Sequence, residues 1–200
     1  MDGRTAASAD NLGLLFVWDL TGLAPDGRLA PADLSNADRE GLWRLLAGDD
    51  AAVAYRAGWR LTAGGDATAA FLRSRLAPVP RDLGPYVDRL LTDLAGPNAA
   101  ARQAATDRLE VLGPAAVPAL RKALAGQAAG EARDRIEYLL GRAERAIPGG
   151  ELLRAIRAVE VLERIGTPAA RAVLADLAEG LPDAALTREA GQSVRRLGRR

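Results

Sequence analysis

The chain contains no cysteine and no histidine. Disulfides, thiolate nucleophiles, zinc sites built on these residues and imidazole acid–base chemistry are therefore excluded. The serines have no histidine to activate them, which excludes a serine hydrolase of the usual kind. A metal site made only of carboxylates stays possible, but no pattern in the sequence indicates one. We therefore expect no enzyme activity and no cofactor.

Aromatic residues and lysine are scarce, whereas alanine is abundant. Aromatic residues make up 4 % of the chain, Lys122 is the only lysine, and 43 of the 200 residues are alanine. Alanine favours helix but buries little apolar area. A core rich in alanine needs close approach of helices, and arrays of short helices provide it.

The charge is nearly balanced overall but is distributed unevenly. Residues 1–50 carry nine acidic residues and four arginines, net −5, whereas residues 51–200 carry 17 acidic and 23 basic residues, net +6. Arginines spread over several segments could contact phosphate or an acidic partner. Acidic residues lie among them throughout, which favours an ordinary mixed surface. The arginines that we name as candidates for partner binding are Arg121, Arg157, Arg195 and Arg196.

No targeting or membrane-spanning segment is visible. The apolar run at residues 12–18 is too short to span a membrane. It follows acidic rather than basic residues and has no small-residue cleavage site. We therefore expect a cytoplasmic protein that does not bind membranes.

The N-terminal part has the pattern of a β-strand. Residues 12–20, LGLLFVWDL, are rich in β-branched and aromatic residues. Residues 4–9 could pair with them as a hairpin across Asp10 and Asn11. Residues 21–35 contain Pro25, Gly27 and Pro31, and this composition predicts a linker.

From Ser35 onward the apolar period changes to that of amphipathic helices. Glycine, proline, aspartate or asparagine interrupts the pattern every 10–16 residues, as expected at helix ends. About ten helices with short connections follow, so neighbouring helices should run antiparallel. The predicted helical segments, with the residues that bound them, are Ser35–Gly48, Asp50–Gly65, Asp66–Pro78, 83–96, 98–113, 114–124, 131–146, 151–165, 168–178 and 184–197.

A pattern recurs three times within the helical part. One helix carries a small residue and a leucine four positions later, a glycine turn follows, and a second helix has apolar residues at i, i+3 and i+7. We expect each glycine to adopt a left-handed cap. The equivalent residues of the first helices are Ala57, Ala105 and Ala158, then Leu61, Leu109 and Leu162, then Gly65, Gly113 and Gly166.

The recurring pattern resembles HEAT-like repeats over roughly residues 50–197. The stretches that carry it are AARQAATDRLEVLGPAAVPALRKAL at 100–124 and ELLRAIRAVEVLERIGTPAARAVLADLAEG at 151–180. The resemblance implies an all-α fold, an α-solenoid of about ten short antiparallel helices. An irregular α-bundle with accidental self-similarity is the alternative.

GLLFVWDL at 13–20 resembles the closing strand of a WD40 propeller blade. The helical part that follows is similar to the C-terminal extension of some large bacterial WD40-propeller proteins. We therefore divide the chain into residues 1–30, a WD40-like strand with its linker, and residues 31–200, a HEAT-like domain. A strand that merely packs on the first helices is the alternative.

Three aromatic residues of the helical part are candidates for a binding surface. Tyr55 and Trp59 share one side of a helix, beside Arg56 and Arg60, and Trp43 follows Leu42. Core packing is the favoured interpretation of this pattern. The alternative is a partly exposed aromatic patch on which a partner's side chains or bases could stack.

Taken together, these patterns predict a non-catalytic helical-repeat scaffold that binds another protein. A nucleic-acid-binding module is the alternative, and a base-excising enzyme of the DNA-glycosylase kind is the least favoured. The glycosylase hypothesis would require an aromatic-lined cleft that contains a carboxylate.

Overall fold

A computed structural model describes residues 5–21, 29–126, 130–143 and 150–199 of the chain. Part of the predicted linker (22–28), the end of the predicted helix at 144–146, and Arg200 lie outside the described residues. The all-α fold with a small N-terminal hairpin is confirmed.

The hairpin consists of β1 (Thr5–Ala9) and β2 (Leu15–Asp19), which run antiparallel with Thr5 opposite Asp19. The second strand begins three residues later than predicted. The cause lies in the turn, where the Asp10 carboxylate accepts hydrogen bonds from the backbone N–H groups of Leu12 and Leu14. The connection is therefore longer than the predicted two residues.

Ten α-helices and one 3₁₀ helix follow in the described part of the chain. They are α1 (Asn36–Leu45), α2 (Ala51–Ala63), α3 (Gly65–Arg75), α4 (Leu83–Ala95), α5 (Ala99–Leu112), the 3₁₀ helix Gly113–Ala116, α6 (Val117–Ala125), α7 (Gly130–Ala143), α8 (Gly150–Ile165), α9 (Pro168–Ala178) and α10 (Ala185–Leu197).

Side-chain caps explain where several helices begin. The side chains of Ser35, Asp50 and Asn98 accept hydrogen bonds from the first free N–H groups of α1, α2 and α5. Asp66 is not the cap that its position suggested, because α3 already begins at Gly65. Its carboxylate instead accepts a hydrogen bond from Thr167 Oγ1 at 2.5 Å, which links the starts of α3 and α9.

The helices form two hydrophobic cores. The first combines α1, α2 and α3 with α8, α9 and α10, so it joins the early and late parts of the helical region. The second combines α4, α5, α6 and α7 with residues from flanking loops. Helix α8 packs against α5, and this contact joins the two cores.

The three repeat units do not lie in space in their chain order. Their first helices are α2, α5 and α8, and α8 packs against both α2 and α5. The third unit thus lies between the first and the second, whereas a linear solenoid has contacts only between consecutive units. This order departs from the predicted α-solenoid.

After the repeated helix, one of the three glycines, Gly113, differs from the expected left-handed cap. Gly113 has φ of 54° and ψ of −129°, so φ is positive as predicted but ψ lies far from a left-handed cap. The 3₁₀ helix that starts at Gly113 takes the place of that cap.

Candidate functional site

The hairpin carries most of the exposed large apolar side chains in the described part of the chain. Seven apolar side chains in residues 12–20 are between 44 % and 81 % exposed. Monomeric proteins rarely leave such a contiguous apolar patch in contact with water. These residues are Leu12, Leu14, Leu15, Phe16, Val17, Trp18 and Leu20.

Both faces of the hairpin are apolar, because successive strand residues point to opposite sides. Phe16 and Trp18 share one face, with ring centroids 6.1 Å apart. Trp18 Nε1 donates a hydrogen bond of 2.9 Å to Ser8 Oγ, which fixes the indole on that face. Leu15 and Val17 occupy the opposite face and are also exposed.

The edges of the hairpin are open as well. Among the described residues the sheet has two strands, and neither has a second neighbour. Natural edge strands are usually protected by charged residues, proline or bulges. In β1 and β2 the sequences TAASA and LFVWD contain one charged residue, Asp19, and no proline.

The base of the hairpin adjoins the start of α2. Thr21 is buried, and both its backbone N–H and its hydroxyl donate hydrogen bonds to Asp19 Oδ1. A shallow cavity between this turn and α2 is lined in part by Leu20, Tyr55 and Arg56. The predicted candidate Tyr55 therefore lies near the hairpin, which the sequence analysis did not foresee.

Trp59 is a core residue in this structure, since it is 3 % exposed. Its ring meets that of Tyr55 edge to face, with centroids 6.2 Å apart. The guanidinium of Arg164 on α8 lies over both rings, 4.7 Å from the Trp59 centroid. Trp59 therefore packs in the core, as the favoured interpretation predicted, and is not part of an exposed aromatic patch.

Two of the four candidate arginines, Arg157 and Arg196, link helices to one another. Arg157 donates to the carbonyl oxygens of Leu46 and Gly48, at 2.6 and 2.8 Å, and so ties the end of α1 to α8. Arg196 binds both carboxylate oxygens of the buried Glu163 and also Glu189. These contacts raise the pKa of Arg196 further above its ordinary value.

The other two candidate arginines, Arg121 and Arg195, lie on different helices. Arg195 is exposed on α10, which belongs to the first core, and Arg121 is exposed on α6, which belongs to the second. The six predicted residues therefore do not form a single patch in the structure. Whether any of them contacts a partner stays a prediction.

A cleft of about 270 Å³ lies where the two cores meet, between α1, α3, α5, α8 and α10. Trp43 forms part of its wall, with the guanidinium of Arg154 at 4.7 Å from the ring centroid. Arg154 also pairs with Glu151 in the same wall. Burial raises the pKa of the Glu151 carboxyl, although its bond to Arg154 opposes that shift.

Sequence reasoning missed this cleft. Trp43 and Arg154 each stand out as residue types, but they lie more than a hundred positions apart. Glu151 lies in the first turn of α8, where acidic residues are common, so its position alone does not indicate a site. Only the packing of α8 against the early helices brings these three residues together, and no local pattern encodes it.

The described residues lack both a cluster of metal-binding side chains and a helix that could cross a membrane. They contain no group of three or more carboxylates that could hold a metal ion. None of their helices is long and apolar enough to cross a membrane. Comparisons of the chain with family models, with curated proteins and with solved structures found no match.

Proposed function

We propose that the protein is a non-catalytic helical scaffold that binds another protein through its N-terminal hairpin. The observation that carries this proposal is the hairpin itself, with apolar side chains exposed on both faces and two open edges. The base of the hairpin adjoins the start of α2. We further propose that it acts in the bacterial cytoplasm.

The proposed partner is a β-sheet. Strands that are apolar on both faces are typical of sheets covered on both sides. An isolated two-stranded hairpin is marginal in water, and additional strands stabilise it. The resemblance of residues 13–20 to a WD40 strand supports the same partner, a propeller-like sheet to which β1 and β2 would contribute. We also propose that the helical part is a HEAT-like repeat domain.

Pairing with a second copy of the chain is the main competing arrangement. The exposed apolar area of the hairpin is on the order of 800 Å², close to what one partner buries in a standard interface. A two-fold dimer uses one patch on each copy. Such a dimer would cover one face or one edge and leave the opposite face in water, which favours a larger sheet as the partner.

Site-specific cross-linking in the organism that encodes the protein tests the proposal. A photoreactive amino acid would replace Phe16 in one variant and Val17 in another, since these residues sample opposite faces. The matched control is the exposed Gln103 on α5. We expect both hairpin positions, but not the control, to label strand peptides of one β-sheet protein. Adducts only between copies of this chain, or none, would contradict the proposal.

The nucleic-acid alternative has less support. Ten arginines of the described part pair with carboxylates, so much of the positive charge is neutralised within the chain. Binding dominated by phosphate contacts weakens steeply between roughly 50 and 200 mM salt. We expect weak duplex binding of that kind, carried by the arginines at 195–200. Sub-micromolar affinity at physiological salt that survives deletion of this tail would favour the nucleic-acid function.

A further inference from the structure

The cleft between the two cores has the size and the lining of a small-molecule site. Its volume, about 270 Å³, lies just below the usual range for ligand pockets. Apolar and charged side chains both line it, which suits a ligand with one apolar and one polar part. The apolar residues are Leu76, Ala77, Ala104, Val111, Ala155 and Leu186, and the charged ones are Arg75, Asp107, Arg108, Glu151 and Arg154.

The negative charges of the cleft are already engaged. Glu151 pairs with Arg154 inside the lining. The Asp107 carboxylate accepts a hydrogen bond of 2.7 Å from Gln103 Nε2. Each carboxylate therefore has a hydrogen-bond partner within the protein.

The positive charges are engaged less completely. Arg108 is exposed at the cleft and has no hydrogen bond or ion pair with the described part of the chain. The Nε of Arg154 is buried without a hydrogen-bond partner. An anionic group in the cleft would supply the partner that Arg108 lacks, through a charge-assisted hydrogen bond.

Two of the three arginines that line the cleft, Arg75 and Arg154, are held in place by aromatic rings. The Arg154 guanidinium lies on the Trp43 ring, and the Trp43 ring packs edge to face on Phe71, with centroids 6.3 Å apart. The guanidinium of Arg75 lies over the Phe71 ring, 5.1 Å from its centroid, and pairs with Glu40. Side chains fixed in this way lose little conformational entropy when a ligand binds.

From these observations we propose that the cleft binds a small molecule that carries an oxyanion, a carboxylate or a phosphate, attached to an apolar body. Arg108 contacts the oxyanion. The apolar body lies against Ala104, Val111 and Leu186. This site is separate from the hairpin and does not depend on the proposed function.

Thermal unfolding of the full chain tests the site with two probes, benzoate and phenyl phosphate, at ionic strength held constant with sodium chloride. A ligand that binds the folded state raises Tm in a saturable way. We expect this for at least one probe, and the tighter of the two identifies carboxylate or phosphate as the preferred group. Benzyl alcohol, which has the apolar body without the oxyanion, should give no saturable rise.

Three variants make the test specific. Arg108→Gln should weaken the dissociation constant at least about tenfold, as expected for loss of a charge-assisted contact. Ala104→Phe should abolish binding by filling the cleft, and its position on an exposed helix surface should leave folding intact. Arg89→Gln is the matched control, an exposed arginine of α4 outside the cleft, and should change the constant less than about twofold.

Two results would overturn the proposal. One is the absence of a saturable rise in Tm with either probe up to about 50 mM, far above the concentrations at which specific sites saturate. The other is an equal loss of binding in the Arg108 and Arg89 variants, which would indicate nonspecific attraction to surface arginines.

Discussion

At the scale of single residues, the leucines at equivalent repeat positions are among the fully buried side chains of the cores. Leu61, Leu109 and Leu162 are all buried, although they lie in three different helices and two different cores. Each is preceded by a buried alanine four positions earlier, which lets a neighbouring helix approach. The burial of these positions was predictable, because it depends on a helical period that the sequence displays directly.

Replacing either Leu109 or Leu162 by alanine should reduce the free energy of unfolding by roughly 2–4 kcal/mol, because each change leaves a cavity in a packed core. Arg121→Ala, at an exposed position of α6, should change it by less than about 0.5 kcal/mol. Urea denaturation measures both. Similar losses at the leucines and at the arginine would show that the assigned helical register is wrong.

At the scale of elements, the start of α1 contains a reciprocal cap. The Ser35 hydroxyl and backbone N–H donate to the Asp38 carboxylate, and the Asp38 N–H donates to Ser35 Oγ. The side-chain bond, followed by the backbone bond, lowers the pKa of Asp38 below its ordinary value of 3.8. This carboxylate therefore stabilises the fold above about pH 4, and the contribution is lost as the pH falls through its lowered pKa.

Ser35→Ala should destabilise the protein by about 1 kcal/mol. Asp38→Asn should make the free energy of unfolding less dependent on pH below about 4, since the ionisable partner of the cap is gone. Denaturant unfolding at several pH values between neutral and acid measures this slope. An unchanged slope in the asparagine variant would mean that other carboxylates account for the acid sensitivity.

Helices α8 and α10 are joined by a buried carboxylate. Glu163 on α8 accepts hydrogen bonds from Ser193 and from the guanidinium of Arg196, both on α10. Arg196→Gln should cost roughly 1–3 kcal/mol, because it leaves a buried carboxylate with fewer donors. Arg195→Gln changes an exposed neighbour and should cost under about 0.5 kcal/mol. Equal melting temperatures for the two variants would contradict the structural role of Arg196.

At the scale of the whole molecule, the hairpin contributes little to the helical cores. Its apolar residues at 12–20 are exposed, and they belong to neither core. A chain beginning at Ala32 should therefore keep cooperative unfolding by circular dichroism. It should also associate less, since open apolar strands invite pairing between chains. Loss of cooperativity would show that the hairpin is integral to the fold.

The sequence predicted the elements far better than their arrangement. Caps such as Asp50 and Asn98, and the apolar periods that follow them, are local and were visible in advance. The position of α8 between α2 and α5 was not, because it depends on side-chain packing between segments that are distant in the sequence. The cleft at Trp43 was missed for the same reason, and so was the exposure of the hairpin on both faces.

The division of the cores has a consequence for synthesis on the ribosome. Most of the second core comes from residues 79–139, which can pack as soon as α7 has emerged. Helices α1 to α3 are made earlier, but their apolar sides must wait for α8 and α9. During that interval the nascent chain exposes the early helices, so these helices reach their native contacts later than the second core, although they are made before it.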